Sequence, residues 1–116
     1  MAQSFRLTFD ASGAERDLRQ AAARGLYFGA EHVLSVSNDK VPLDEGPLQH
    51  SGTASVDEGD LTGMVSYDTP YAVRQHEEMD YRHAPGREAK FLENALNSER
   101  AVVFALVAAQ MRRALR

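Results

Sequence analysis

Apolar and polar positions along this chain repeat with a period of two at first and then with a period near 3.6. Residues 4–9 read SFRLTF, with Phe5, Leu7 and Phe9 on one side and Arg6 and Thr8 on the other. That alternation of aromatic and apolar residues predicts a short strand with one buried face. Ser12 followed by Glu15 matches a capping box, and Asp10 and Asp17 place negative charge at the positive end of a helix dipole. A helix over 13–36 is expected to follow, with Leu18, Ala22, Gly25, Leu26, Gly29, Ala30, Val33 and Val36 at helical spacing. Pro42 disfavours helical backbone at Val41 and closes this segment.

Two prolines and two glycines between residues 41 and 52 predict a turn-rich loop over 37–51. Residues 52–56 and 61–67 read as strands joined by the turn Asp57-Glu58-Gly59-Asp60, with Gly59 available for a positive φ. A loop over 68–87 leads to a second helical period over 88–115, in which Lys90, Phe91 and Leu92 begin the helix. Phe91, Leu92, Ala95, Leu96, Val102, Val103, Leu106 and Val107 carry that period, and Ser98 offers an N-cap for a kink or restart near 97–98. The predicted fold is α+β in one domain over 1–116, in the order β-α-β-β-(β)-α. About four strands form a small antiparallel or mixed sheet flanked by two long helices.

Gly25 and Gly29 each cost about 1 kcal/mol against alanine inside a helix. Four apart, they share a face that admits another backbone. Two occupants are open: the domain's own sheet or a neighbouring subunit. Phe91, Leu92 and Leu96 are expected in the core.

The 116 residues are 43% hydrophobic and 26% charged, ordinary globular values. Cysteine is absent, which excludes disulfides and thiolate zinc and points to cytosolic synthesis. Neither a signal peptide nor a membrane span is expected from the apolar runs. With 13 basic against 17 acidic side chains, the net charge of −4 disfavours a protein that tracks phosphates.

The densest chemistry lies between Tyr67 and Leu96, where Pro70, Tyr71, Arg74, His76, Glu77, Tyr81 and His83 crowd together. His76 and His83 are seven apart, about 10 Å on a helix, too far for one ion, and the pair lacks the His-Glu-x-x-His pattern. Glu77 and Glu78 are adjacent and diverge on a regular element. No Gly-x-Ser-x-Gly elbow or phosphate-binding glycine loop is present. Arg112, Arg113 and Arg116 compensate a helix dipole, with nucleic-acid contact as the lesser reading. No catalytic residue, metal ligand or cofactor site is expected. A small metal-dependent hydrolase using His76 and His83 is the alternative of another class.

Three segments then occur in a recognisable order: Val41-Pro42-x-Asp44-x-Gly46-x-Leu48-x-x-Ser51-Gly52, Val65-x-Tyr67-x-x-Pro70-Tyr71-Ala72-x-x-Gln75-His76-Glu77, and Gly86-x-x-Ala89-Lys90-Phe91-Leu92-Glu93-x-Ala95-Leu96. Together they resemble the tail-completion, or neck, proteins of long-tailed double-stranded DNA phages, also called head-to-tail connector or minor capsid proteins. The resemblance covers about residues 12–115. It departs at Glu45, where the family usually has threonine, and at Pro47, where a small residue is common.

The resemblance implies a non-enzymatic virion component, made in the host cytoplasm and located at the head–tail joint as a tail terminator. It implies a homo-oligomeric ring, with six copies the expected number, between head-connector or stopper proteins and the tail tube; a head-side stopper ring is the close variant. Genomic DNA would pass through the lumen without sequence-specific binding, and no membrane is involved. Pro42, Asp44, Gly46, Leu48 and Ser51, with Pro70, Tyr71, Arg74, His76, Glu77, Tyr81 and His83, are the expected interface and loop-shaping residues. Tyrosine, arginine and histidine are side chains that anchor interfaces.

Overall fold

A computed structural model of the chain describes residues 2–8, 15–41, 51–67 and 90–115. Among the described residues the architecture is α+β: a three-stranded antiparallel sheet with two long helices and one short one. The elements run β1 (Ala2–Arg6), α1 (Glu15–Asn38), β2 (Thr53–Asp57), β3 (Thr62–Ser66), α2 (Phe91–Ser98) and α3 (Arg100–Ala114). β3 is the central strand, with β1 and β2 at the edges. The optional fourth strand is not among the described elements.

Side-chain alternation decides which face of the sheet is covered. Phe5, Gly63 and Val56 stand side by side across the three strands, and Gln3, Val65 and Ala54 form the next row. These two rows are buried or half-buried, whereas Ser4, Met64 and Ser55 on the opposite face are exposed. Gly63 leaves room for the Phe5 ring: a β-carbon there would lie 2.5 Å from Phe5 Cζ. β1 begins two residues before the expected start and Phe9 lies outside the described residues.

α1 buries Ala22, Gly25, Leu26, Gly29, Ala30 and Val33, the stripe its helical period predicts, with Leu18 and Val36 half-buried at its margins. Two clusters form along it. One gathers Ala30, Val33, Val41, Val65, Tyr67, Phe91, Leu92, Ala95 and Val103. The other joins Ala22, Ala23 and Leu26 to Leu61 and Val107. Phe5 packs against both.

Gly25 and Gly29 face neither the sheet nor a second subunit. A β-carbon on Gly25 would stand 2.5 Å from Val107 Cα, and one on Gly29 would stand 2.8 Å from Val103 Cγ1. The close approach is therefore to α3 of the same chain. Helical spacing located the smooth face; it carried no information about what lay against it.

Three local expectations change. The turn between β2 and β3 takes its positive φ at Leu61 (50°), not at Gly59. Asp57 shapes it instead, its Oδ1 accepting from the amides of Gly59 (3.0 Å) and Asp60 (3.3 Å). Leu61 tolerates the left-handed region because its side chain is buried in the second cluster. Lys90 is not helical: it caps α2 in a left-handed conformation, φ 55°. The C-terminal helix breaks at Glu99, which ends α2 and caps α3, so Ser98 is not the N-cap. The Ser98 hydroxyl points back to the Ala95 carbonyl at 3.2 Å.

Candidate functional site

Asn38 ends α1, and the chain continues through Val41, which is buried beside Tyr67 in the first cluster. Tyr67 follows β3 by one residue, on the same face as Gly63 and Val65, so the period of two carries its ring inward. There it meets Phe91 at the start of α2, ring centroids 5.3 Å apart and edge to face at 84°. Its hydroxyl donates to Asn38 Oδ1 at 2.7 Å and lies 2.8 Å from Ser37 Oγ. The phenolic proton is committed to Asn38, so Ser37 is the donor in the second bond. Ser37 is a buried polar residue of the core, fully enclosed, and this bond satisfies it. Burial pushes the Tyr67 phenol up to about 12, against the weaker opposing pull of the Ser37 hydrogen bond.

The consequence is positional. Residues 42–50 leave the described fold at Val41 and rejoin it at Ser51; residues 68–89 leave at Tyr67 and rejoin at Lys90. Val41, Tyr67 and Phe91 belong to one buried cluster. Thr53, two residues after Ser51, stands opposite Ser66, one residue before Tyr67. All four ends are therefore gathered at one pole of the domain, tied to the end of α1.

A second polar contact holds the helical layer. His32 Nε2 on α1 lies 2.6 Å from Glu99 Oε1 at the α2–α3 joint. Glu99 Oε2 accepts from Ser98 Oγ at 3.3 Å, and its carbonyl receives the Val103 amide at 3.0 Å. This pair is partly exposed. Among the described residues no three histidines, aspartates or glutamates converge as a metal site, and no described helix is long and apolar enough to cross a membrane.

Of the residues singled out for the interface, Ser51 is described: it is half-buried, and its carbonyl accepts from Thr53 Oγ1 at 3.4 Å. Pro42, Asp44, Gly46, Leu48, Pro70, Tyr71, Arg74, His76, Glu77, Tyr81 and His83 lie outside the described residues, as does Ser12 of the capping box. Phe91 and Leu92 are fully enclosed, and Leu96 packs against the same cluster. Sequence reasoning missed Ser37, Asn38 and Tyr67 as an anchor. A signal for Tyr67 was present, since Gly63, Val65 and Tyr67 continue one alternating face. Nothing comparable marked Ser37 and Asn38, whose partner is about thirty residues away.

Comparison with protein-family models, with curated proteins and with solved structures finds no match.

Proposed function

We propose that this chain is a structural protein of a tailed double-stranded DNA phage. It forms a homo-oligomeric ring at the tail side of the head–tail joint, joining tail tube to head connector while DNA passes through the lumen. One observation carries the reading. The three stretches whose residue order resembles the neck proteins, 41–52, 65–77 and 86–96, each contribute one residue, Val41, Tyr67 and Phe91 in turn, to the same buried cluster. A packed domain that gathers these three stretches at one end is suited to meeting a neighbouring protein there, and it requires no reactive side chain.

The net charge of −4 on each copy fits this role. A ring of several copies carries a large negative charge, and an acidic wall repels a phosphate backbone rather than retaining it. The test combines mass in solution with an image of the assembled particle. A multimer of this chain seen as a ring at the head–tail joint supports the reading. A chain that stays monomeric and is absent from the joint overturns it. Density on the head side of the joint would select the stopper ring instead.

A further inference from the structure

Among the described residues β1 and β2 are the two edges of the sheet, each paired with β3 alone. The bond from the Leu7 amide to the Leu61 carbonyl, 2.8 Å, sets the phase of β1. Leu7, Phe5 and Gln3 exchange bonds with β3, and alternation turns the backbone groups of Ser4 and Arg6 outward. The same alternation along β3 leaves Ala54 and Val56 facing out of the β2 edge. Neither strand contains proline, and the pairing of both with β3 is unbroken by a bulge, so two of the usual protections of an edge are missing.

Each edge is flanked by uncovered apolar groups. Beside β1, depressions of about 270 and 190 Å³ share Phe5, Arg6, Arg100 and Val103 and so form one groove. Phe104 stands at its wall, 70% exposed. Its charged lining residues are both arginines. Beside β2, a depression of about 290 Å³ is bounded by Val56, Tyr27 and Phe28, the two rings 42% and 45% exposed. Glu58 lines it, and the Tyr27 hydroxyl donates to the Glu31 carboxylate, which raises the phenol above its ordinary range. Arg24 lines it too, with its Nε 3.5 Å from Gln110 Oε1 on α3.

We propose that these two edges are the two halves of a single contact between copies of this chain. β1 of one copy lies along β2 of the next, with Phe104 against Tyr27 and Phe28, and Arg6 and Arg100 facing Glu58 and Glu31. The inference rests on the ring reading and names the surface that builds the ring. Strand direction agrees with it. β1 and β2 are both antiparallel to β3 and so run the same way, which makes β1 against the next copy's β2 a parallel pair. Each added copy then extends the sheet with unchanged polarity, as rotation about a ring axis requires. Pairing β1 with β1 would instead bring two arginine-lined grooves together and leave both β2 edges open. A contact between unlike surfaces covers both edges, and it makes a ring where the rotation between copies closes.

The absence of cysteine makes the contact measurable by crosslinking. Ser4 and Ser55 are exposed on the same sheet face, and both stand opposite Met64. Within one copy they are two strand spacings apart, about 9–10 Å, beyond the roughly 7 Å Cα separation a disulfide spans. Any disulfide in the Ser4→Cys/Ser55→Cys double variant therefore joins different copies. The Ala2→Cys/Ser55→Cys variant covers the register shifted by one two-residue repeat. The expected result under mild oxidation is a ladder of covalent multimers from a double variant, with no species beyond background dimer from the single ones. Arg100→Glu is expected to weaken the multimer at least tenfold, with Glu58→Arg in the same chain restoring part of that loss.

Strong dimers from Ser4→Cys alone would establish like-with-like pairing and overturn the inference. A multimer by mass that gives no ladder from either double variant would overturn it while leaving the ring reading intact. A protein that remains monomeric would overturn the inference, and its absence from the head–tail joint as well would overturn the ring reading.

Discussion

Gly25 and Val107 bring the backbones of α1 and α3 into direct contact: a β-carbon on Gly25 would stand 2.5 Å from Val107 Cα and 3.1 Å from the Leu106 carbonyl oxygen. Alanine at this position gains about 1 kcal/mol of helix propensity, but it must push two packed helices apart. Gly25→Ala is therefore expected to destabilise the fold by about 1–3 kcal/mol in urea unfolding. Gly29→Ala meets the Val103 side chain rather than backbone, so its cost is expected to be smaller. Stabilisation by both substitutions would mean that propensity outweighs packing and that the helices are not in contact there.

Tyr67→Phe keeps the ring against Phe91 and removes the hydroxyl shared by Ser37 and Asn38. Ser37 has no access to water in its place. The expected loss is about 1–3 kcal/mol, the cost of an unsatisfied buried polar group. Chemical unfolding measures it, and an unchanged midpoint would refute the hydrogen-bonded anchor.

The same hydroxyl gives an alkaline signature. The phenol titrates near 10 in the unfolded chain and near 12 in the folded one. Between those values the unfolded state has lost a proton that the folded state keeps, so stability falls as pH rises. The stabilisation is present in full below pH 10 and is lost by about pH 12, a change on the order of 2–3 kcal/mol. Unfolding followed over this window is expected to show that slope in the natural chain and a shallower one in Tyr67→Phe.

Glu99→Ala removes the partner of His32 at the joint between α2 and α3. The pair is partly exposed, which limits the expected cost to about 0.5–1.5 kcal/mol. Amide exchange offers the more specific readout, with faster exchange expected at residues 99–103 and little change in β3.

Asp57→Ala is expected to cost about 1 kcal/mol through the turn amides of Gly59 and Asp60. Asp57→Asn retains an accepting oxygen and should stay close to the natural stability. Thermal melts of the two variants separate this hydrogen-bond role from one of charge alone.

The chain by itself determined the local elements. Period two placed Phe5 and Leu7 on one side of β1, and period 3.6 drew the buried stripe of α1 from Ala22 to Val33. The same period brought Phe91 and Leu92 inward. These features depend on neighbours a few residues away, and short-range order is written directly in the sequence. Tertiary structure decided what those faces meet. It set β3 between β1 and β2, and it put α3 rather than the sheet or another subunit behind Gly25. It moved the positive φ from Gly59 to Leu61, because burial of the leucine side chain outweighs the backbone preference. It also joined Tyr67 to Ser37 and Asn38, and His32 to Glu99 across 67 positions. Such contacts are long in sequence and short in space, and no local pattern encodes them. The stretch between Tyr67 and Phe91, rich in histidines and acids, is thereby bounded by a packed tyrosine and a packed phenylalanine.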